Sequence, residues 1–505
     1  MGSPQTVKKV KNGATYYYER TPKYDPKTRN TSYKYRYLGK DMDGKIGKVR
    51  VTLPRRSYIY GSFLPLIRVM DTLHLSDILT PLAGKKRSAE ILALAMSKVV
   101  RPLPMKSIPV WMEGTHLPDL LHVDLSSPGI SRLLDRIGES DLYRSFSKHF
   151  ISYIKPEGSL LYDITTVPSY SSLAMFEYGH AKDHPDLPQL NLSIVMEKKR
   201  FLPISFETYS GSIPDIVTLK RMVTDLGIEG IEFILDRGFF SLDNLRMLSG
   251  HDYIIAAVYS RKEVKAAFSS AMKTLDRADN AILYEGRTMF CLRLSFRMEE
   301  LDLMAYLYHD PERETEERMN FHRTLMQKRE EIEKLQVRKG LGTAISAIAG
   351  SYMKYISYTV KEGKIVTRAR NNAITAAENR MGRFMIVYSG DHDPVTCLSM
   401  YRQKDAIEKA FMMLKTDLDL FPLRARKPST VSGTIFVLFI ALIMRSMIVR
   451  AMNLSGLAKK YSVERMFLEL EKLQIIKKDD GTFEELERTK KQRDILTALE
   501  KISWG

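Results

Sequence analysis

Hydrophobic and polar positions change rhythm several times along this 505-residue chain. Residues 15–53 alternate aromatic and basic side chains, with Tyr16, Tyr17, Tyr18, Tyr33, Tyr35 and Tyr37 around the turn-rich stretch Pro22 to Asn30, and predict a small β-hairpin unit. From about 58 to 155 apolar residues recur at helical spacing, among them Leu73, Leu75, Ile78, Leu79, Leu82, Ile91, Leu92, Leu94, Leu120 and Leu121. Between 159 and 260 the period shortens. Strands are predicted over Ser159 to Thr166, Gln189 to Glu197, Leu202 to Tyr209, Ile231 to Asp236 and Tyr253 to Val258, with helices from about Asp215 to Leu226 and Leu242 to Leu248. A further strand, Phe384 to Tyr388, leads to a helix from about Leu398 to Leu418 and an apolar helix near 435–450.

The order β-β-β-α-β-α-β sets an antiparallel meander before parallel crossovers. It matches an RNase H-like α/β fold: a mixed five-stranded sheet with helices, interrupted by an insertion. Residues 261–383 form that insertion, with a charged helical stretch from Glu312 to Lys339 that reads as a solvated or coiled helix. The expected units are a basic β-rich segment (1–57), a helical DNA-binding domain (58–155), the core in two parts (156–260 and 384–452) around the insertion, and a C-terminal helical region (453–505). Neither an internal repeat nor a Walker A pattern is present, which excludes ATP-driven chemistry of that type. The longest apolar run, Ile435 to Met444, ends at Arg445 and falls short of the ~20 residues that cross a bilayer. It reads as a buried helix, and no membrane partner is expected. The polar, basic start does not read as a signal peptide, and Gly2 with Thr6 fits a myristoylation pattern that reads more simply as a cloning scar.

Charge identifies the partner. The formal net charge is +18, and residues 1–60 hold fifteen Lys or Arg against Glu19, Asp25, Asp41 and Asp43, a net +11. Bases that neutralise phosphates release condensed counterions, so this segment is expected to bind nucleic acid in a salt-dependent way. Only Cys291 and Cys397 occur, too few for a disulfide framework or a zinc finger, which suits a reducing cytoplasm.

The candidate chemistry is acidic. Asp163 interrupts the apolar strand Leu160 to Ile164, and Asp236 ends the run from Ile231 to Leu235; charges in such positions need a cation or hydrogen bonds to offset desolvation. If the first and fourth strands are neighbours, the two carboxylates converge, and hard divalent cations take such oxygen ligands. A strand-end Asp is otherwise a cap or turn residue. On the following helix, Tyr401, Lys404, Glu408 and Lys415 fall within a stripe about 60° wide at ~100° per residue. Ile407, Ala410, Phe411, Leu414 and Leu418 occupy the adjoining core face. An amphipathic helix with a mixed-charge border would look the same, so Glu408 becomes the third acid only if the helix packs against the two strands.

In this pattern the chain resembles the IS4 superfamily of insertion-sequence transposases, and within it the IS1634 group. The superfamily signature of Tyr, Arg, Glu and Lys is met at its own spacing by Tyr401, Lys404, Glu408 and Lys415, with Lys404 in the place of Arg. That replacement keeps the charge and loses the bidentate fork. Asp163 in Asp-Ile-Thr-Thr and Asp236 in Asp-Arg-Gly-Phe-Phe match the first two catalytic positions, and Gly179 to Gln189 resembles the loop before the second strand. The resemblance spans about 159–260 and 384–450.

The resemblance implies a DDE transposase in which Asp163, Asp236 and Glu408 are the catalytic residues and hold two Mg²⁺ or Mn²⁺ ions, with Tyr401, Lys404, Lys415, Lys182 and Arg237 on DNA. It also implies DNA partners, both the element's terminal inverted repeats and the target, a homodimer in the active complex, and a place at the nucleoid of a prokaryotic cytoplasm. Some relatives stack an insertion tryptophan on an unpaired base. Here Trp111 and Trp504 lie elsewhere, leaving Tyr352, Tyr355 or Phe290 for that role if it exists. His180, Asp183 and His184 read as a polar substrate-contact loop before they read as a zinc site. A nuclease without strand transfer and a non-catalytic DNA-binding regulator are the alternatives.

Overall fold

In the computed structural model, residues 4–500 are described apart from 12, 26–28, 43, 48–53, 172, 178–186, 211–231, 338, 421–422 and 424. The N-terminal segment is an antiparallel sheet of β1 (Gln5–Lys11), β2 (Ala14–Asp25), β3 (Asn30–Met42) and β4 (Lys45–Gly47). Cross-strand rings and cations hold it: Tyr18 lies 5.4 Å from Tyr37, and the Lys9 ammonium sits 4.0 Å from the Tyr35 ring centre. Tyr17 is the buried ring, donating its hydroxyl to Asp41 at 3.0 Å. The expected hairpin is thus the centre of a four-stranded ladder.

After β5 (Pro54–Ile59) come the helices α1 (Leu64–Thr72), α2 (Leu75–Ala83), α3 (Lys85–Val100), α4 (Ile108–Met112), α5 (Leu117–Leu121), α6 (Ser127–Gly138) and α7 (Leu142–Ile154). Sequence sets their boundaries locally. At α6, for example, the Ser126 side chain accepts from the Gly129 amide, with Pro128 in the first turn.

The central sheet contains β6 (Ser159–Pro168), β7 (Gln189–Glu197), β8 (Leu202–Ser210), β9 (Glu232–Leu235) and, after α8 (Leu242–Met247), β10 (Asp252–Ala256). The expected helix over 215–226 lies outside the described residues. Past α9 (Lys262–Ala271), the strands β11 (Ala281–Tyr284), β12 (Arg287–Met298) and β13 (Leu301–His309) join the same sheet. The insertion follows as α10 (Pro311–Glu333), α11 (Leu341–Ala349), the hairpin β14 (Ile356–Lys361) and β15 (Lys364–Ala369), and α12 (Asn371–Glu378), around a separate apolar cluster that includes Phe321, Ile345 and Ile356.

The chain returns to the sheet as β16 (Arg383–Tyr388), giving the order β11-β12-β13-β16-β10-β9-β6-β7-β8. Two expectations change here. Among the described residues the sheet has nine strands rather than five, and residues 281–309, read as insertion, belong to it. The reason is pairing at a distance: β13 lies antiparallel to β16, with Ala305 opposite Val387. A network at this junction fastens the insertion's start. Buried His309 lies 2.6 Å from both Asp276 and Glu314, and Arg383 reaches the same two acids at 3.2 Å.

Two helices, α13 (Pro394–Arg402) and α14 (Asp405–Met412), replace the single helix expected over 398–418. Beyond them α15 (Pro428–Leu454) is long and apolar enough to span a membrane, but most of it is buried against α3, α6 and β8. The helical layer and the sheet share one hydrophobic core through it. After α16 (Val463–Glu471), β17 (Gln474–Lys478) pairs with β5 on one side and with β18 (Phe483–Glu485) on the other, and α17 (Lys490–Leu499) closes the described chain.

Candidate active site

Strands β6 and β9 run parallel with Tyr162 opposite Leu235. The next residue on each, Asp163 and Asp236, therefore stands beside the other at one end of the sheet, where neighbouring strands are ~4.8 Å apart. This is the adjacency that the sequence could state only as a condition. Asp163 is still within β6, whereas Asp236 begins the short 3₁₀ turn Arg237–Phe239.

Capping starts α13: Asp393 accepts from the Val395 and Thr396 amides ahead of Pro394. The helix then tightens, with amides of Lys404, Ala406 and Ile407 bonding three residues back before α14 continues. Across this break the signature still converges. The Tyr401 hydroxyl lies 3.3 Å and the Lys404 ammonium 2.8 Å from Asp236 Oδ1, and Lys404 is also 3.4 Å from Glu408 Oε1. α14 packs on β6 and buries Ile407, Ala410 and Phe411. Lys415 sits half-buried in a π-helical turn, Met413–Asp417, whose wider winding alters the phase expected from a uniform helix.

Electrostatics separate the carboxylates. Burial pushes Asp163 up to about 7; the amide of Ile164, donating to its Oδ1 at 2.8 Å, and Lys404 oppose this, while Asp236 and Glu408 add to it. Asp236 is also raised by burial, yet hydrogen bonds from Lys404, the Arg237 amide and Tyr401 outweigh that and hold it below its ordinary value. For Lys404, burial alone would lower the ammonium; its bond to Asp236 outweighs this and raises it. Tyr401 is pushed up to about 12, first by burial, and remains a hydrogen-bond donor at neutral pH.

Carboxylate oxygens are the ligand type that a hard divalent cation takes, and Asp163 is buried and feels the charges of Asp236 and Glu408. Among the described residues no three His, Cys, Asp or Glu side chains are closed into a metal cage. The positive charge among these carboxylates is Lys404.

Other sequence candidates fare differently. Arg237 is exposed beside Asp236. Lys182, with His180, Asp183 and His184, lies outside the described residues. The aromatic candidates are engaged in packing: Tyr352 and Tyr355 contact Phe321 in the insertion's own cluster, and Phe290 stacks on His309.

Asp163 and Asp236 thus stand at adjacent strand ends with the Lys404-bearing segment laid across them. Residues 155–444 match the family model of the transposase DDE domain, more than half of the chain, and the chain belongs to that family. No curated protein matches it. Among solved structures, a piggyBac transposase in a synaptic complex with hairpin DNA is 11% identical, with 90% of this chain and 87% of that chain covered at a TM-score of 0.40.

Proposed function

We propose that this DDE-family transposase is an insertion-sequence enzyme of the IS4 superfamily, IS1634 group, with an RNase H-like core, and that it cuts its element's ends and joins them to target DNA. The observation that carries this reading is the register of β6 and β9, which sets Asp163 beside Asp236 where Lys404 and Glu408 also meet. Asp163, Asp236 and Glu408 would hold two Mg²⁺ or Mn²⁺ ions. Bound there, such ions neutralise developing phosphoryl charge and lower the pKa of an attacking oxygen.

The chain's own groups position the DNA. Tyr401 and Lys404 face the acids, and with Arg237 and Lys415 they fix the scissile phosphate so that the nucleophile and leaving oxygen lie in line. Lys182, outside the described residues, would be a further substrate contact. Water attacks first and frees a 3′-hydroxyl, which then attacks the target, so one site serves both steps. The two ends of an element are processed together, which calls for a homodimer on paired inverted repeats, at the nucleoid of a prokaryotic cytoplasm. The N-terminal sheet, with Tyr24, Tyr33, Tyr35 and Tyr37 exposed among its lysines and arginines, supplies the main duplex contact.

Labelled element ends incubated with the protein and Mg²⁺, then resolved on a denaturing gel, test the reading. Cleaved and joined products are expected, and Asp163→Asn, Asp236→Asn and Glu408→Gln should each lower cleavage by at least about 10³-fold while DNA binding persists. Cleavage without joined products would mark a nuclease. Binding without any cleavage would mark a regulator.

A further inference from the structure

Beside Asp236 the molecule opens into a cleft of about 940 Å³ that the acidic site does not fill. Among the described residues, seven of its lining side chains are basic and one, Asp405, is acidic. Four of the seven are already balanced: Lys404 by Asp236, Arg383 by Asp276 and Glu314, Arg402 by Asp310 at 3.5 Å, and Arg313 by Glu317 at 2.7 Å. Arg237, Arg261 and Arg380 also line the cleft, and among the described residues none of them joins an ion pair. Unbalanced arginines gathered in one concavity call for an anionic occupant from outside.

The rings in the cleft narrow the choice. The Arg380 guanidinium lies 4.8 Å from the centre of the Tyr259 ring, and Arg313 lies 5.7 Å from that of Phe384. Phe384 is already stacked on Tyr308 at 5.1 Å between ring centres, which leaves half-buried Tyr259 as the ring that can meet a base. Guanidinium groups held against ring faces meet a phosphate with one group and a base with the other, the pairing that single-stranded nucleic acid uses. A duplex keeps its bases stacked inside and offers such a surface only phosphates. The parts come from distant places: Arg237 and Arg261 follow β9 and β10, while Arg313 and Arg380 stand at the two ends of the insertion. That dispersal explains why no sequence motif announced the site.

We propose that this cleft holds an unpaired DNA strand next to the phosphate at the acidic site, with Arg237, Arg261 and Arg380 on its phosphates and Tyr259 against a base. The inference rests on the reading of the chain as a DNA-cutting enzyme. In it, the insertion contributes part of the substrate channel through Arg313 and Arg380, and the strand to be cut is drawn away from its complement beside Asp236.

Fluorescence anisotropy with the full-length protein, a labelled oligothymidylate and a blunt labelled duplex tests this without added metal. Arg261→Ala combined with Arg380→Ala should weaken oligothymidylate binding about tenfold or more and duplex binding less than about twofold. The slope of log affinity against log salt on the single strand should fall by about 1.4, roughly 0.7 for each lost phosphate contact. Arg261→Lys with Arg380→Lys should keep that slope. Tyr259→Leu should weaken oligothymidylate binding with the slope unchanged. Equal losses on single strand and duplex, or single-strand binding that survives the double alanine variant, would overturn the proposal. Cleavage of element ends is read separately. A wild-type protein that never cuts, but whose double alanine variant loses single-strand binding, removes the transposase reading and keeps the cleft; an active protein whose variant still binds the single strand does the reverse.

Discussion

The Lys404 ammonium lies 2.8 Å from Asp236 and 3.4 Å from Glu408, so the base of the four-residue signature is itself a counter-ion of the acidic site. In the proposed reading, a divalent cation entering between these carboxylates would compete with Lys404, and a phosphate entering afterwards would offer the displaced ammonium a new partner. Lys404 would then pass from the acids to the DNA without losing an opposite charge.

Replacing Lys404 by Met removes the competitor and leaves the carboxylates in place. Mn²⁺ should bind Lys404→Met about tenfold more tightly in an electron paramagnetic resonance titration, a difference of ~1.4 kcal/mol. Cleavage at saturating Mn²⁺ should nevertheless fall, while Lys404→Arg, which keeps the charge, should cut at or above the starting level. Looser Mn²⁺ binding by Lys404→Met would show that the ammonium helps build the metal site.

Asp163, held up near 7 by burial, makes stability depend on pH. Because its folded pKa exceeds its unfolded value, the folded state holds more protons between about pH 4 and 7, and stability falls as pH rises through that window. Asparagine cannot ionise. In metal-free buffer, Asp163→Asn should therefore melt above the wild type at pH 7.5, and the gap should narrow at pH 5. A gap independent of pH between these points would contradict the assignment.

The basic N-terminal sheet gives a separate salt test. Deletion must stop at Gly47, because β5 pairs with β17 and its loss would expose that strand. Removing residues 1–47 should flatten the dependence of log duplex affinity on log salt and leave the melting temperature within a few degrees. An unchanged slope would move the duplex contact elsewhere.

Helices α6 and α15 cross where neither tolerates a side chain. A Cβ on Gly433 would stand 2.0 Å from the Leu134 carbonyl oxygen, and one on Gly138 would stand 1.7 Å from that of Ser429. Gly433→Ala should cost about 1–3 kcal/mol in denaturant unfolding, since the helices must part. No loss would mean that this crossing is looser than described.

Strands β6, β7 and β8 could be read almost to their ends because alternation and apolar runs are properties of neighbouring residues. The same holds for the N-terminal alternation of Tyr and Lys, and for the spacing of Tyr401, Lys404, Glu408 and Lys415. Charge, too, is carried by composition alone, so a polyanionic partner was legible before any fold. The acids stood out as polar residues in apolar strands, a local contradiction that pointed to chemistry.

Tertiary structure decided what lay between distant segments. That Asp163 and Asp236 are neighbours depends on β6 pairing with β9, and that residues 281–309 join the main sheet depends on β13 finding β16. Neither pairing leaves a mark in local periodicity, because a strand's alternation records which face is buried and not which strand lies beside it. The break after Arg402 was hidden for a related reason: i→i−3 and i→i−4 hydrogen bonds place nearly the same residues on the buried face. The arginines of the cleft come together only when the insertion folds back onto the sheet, since their proximity is set by packing and not by spacing along the chain.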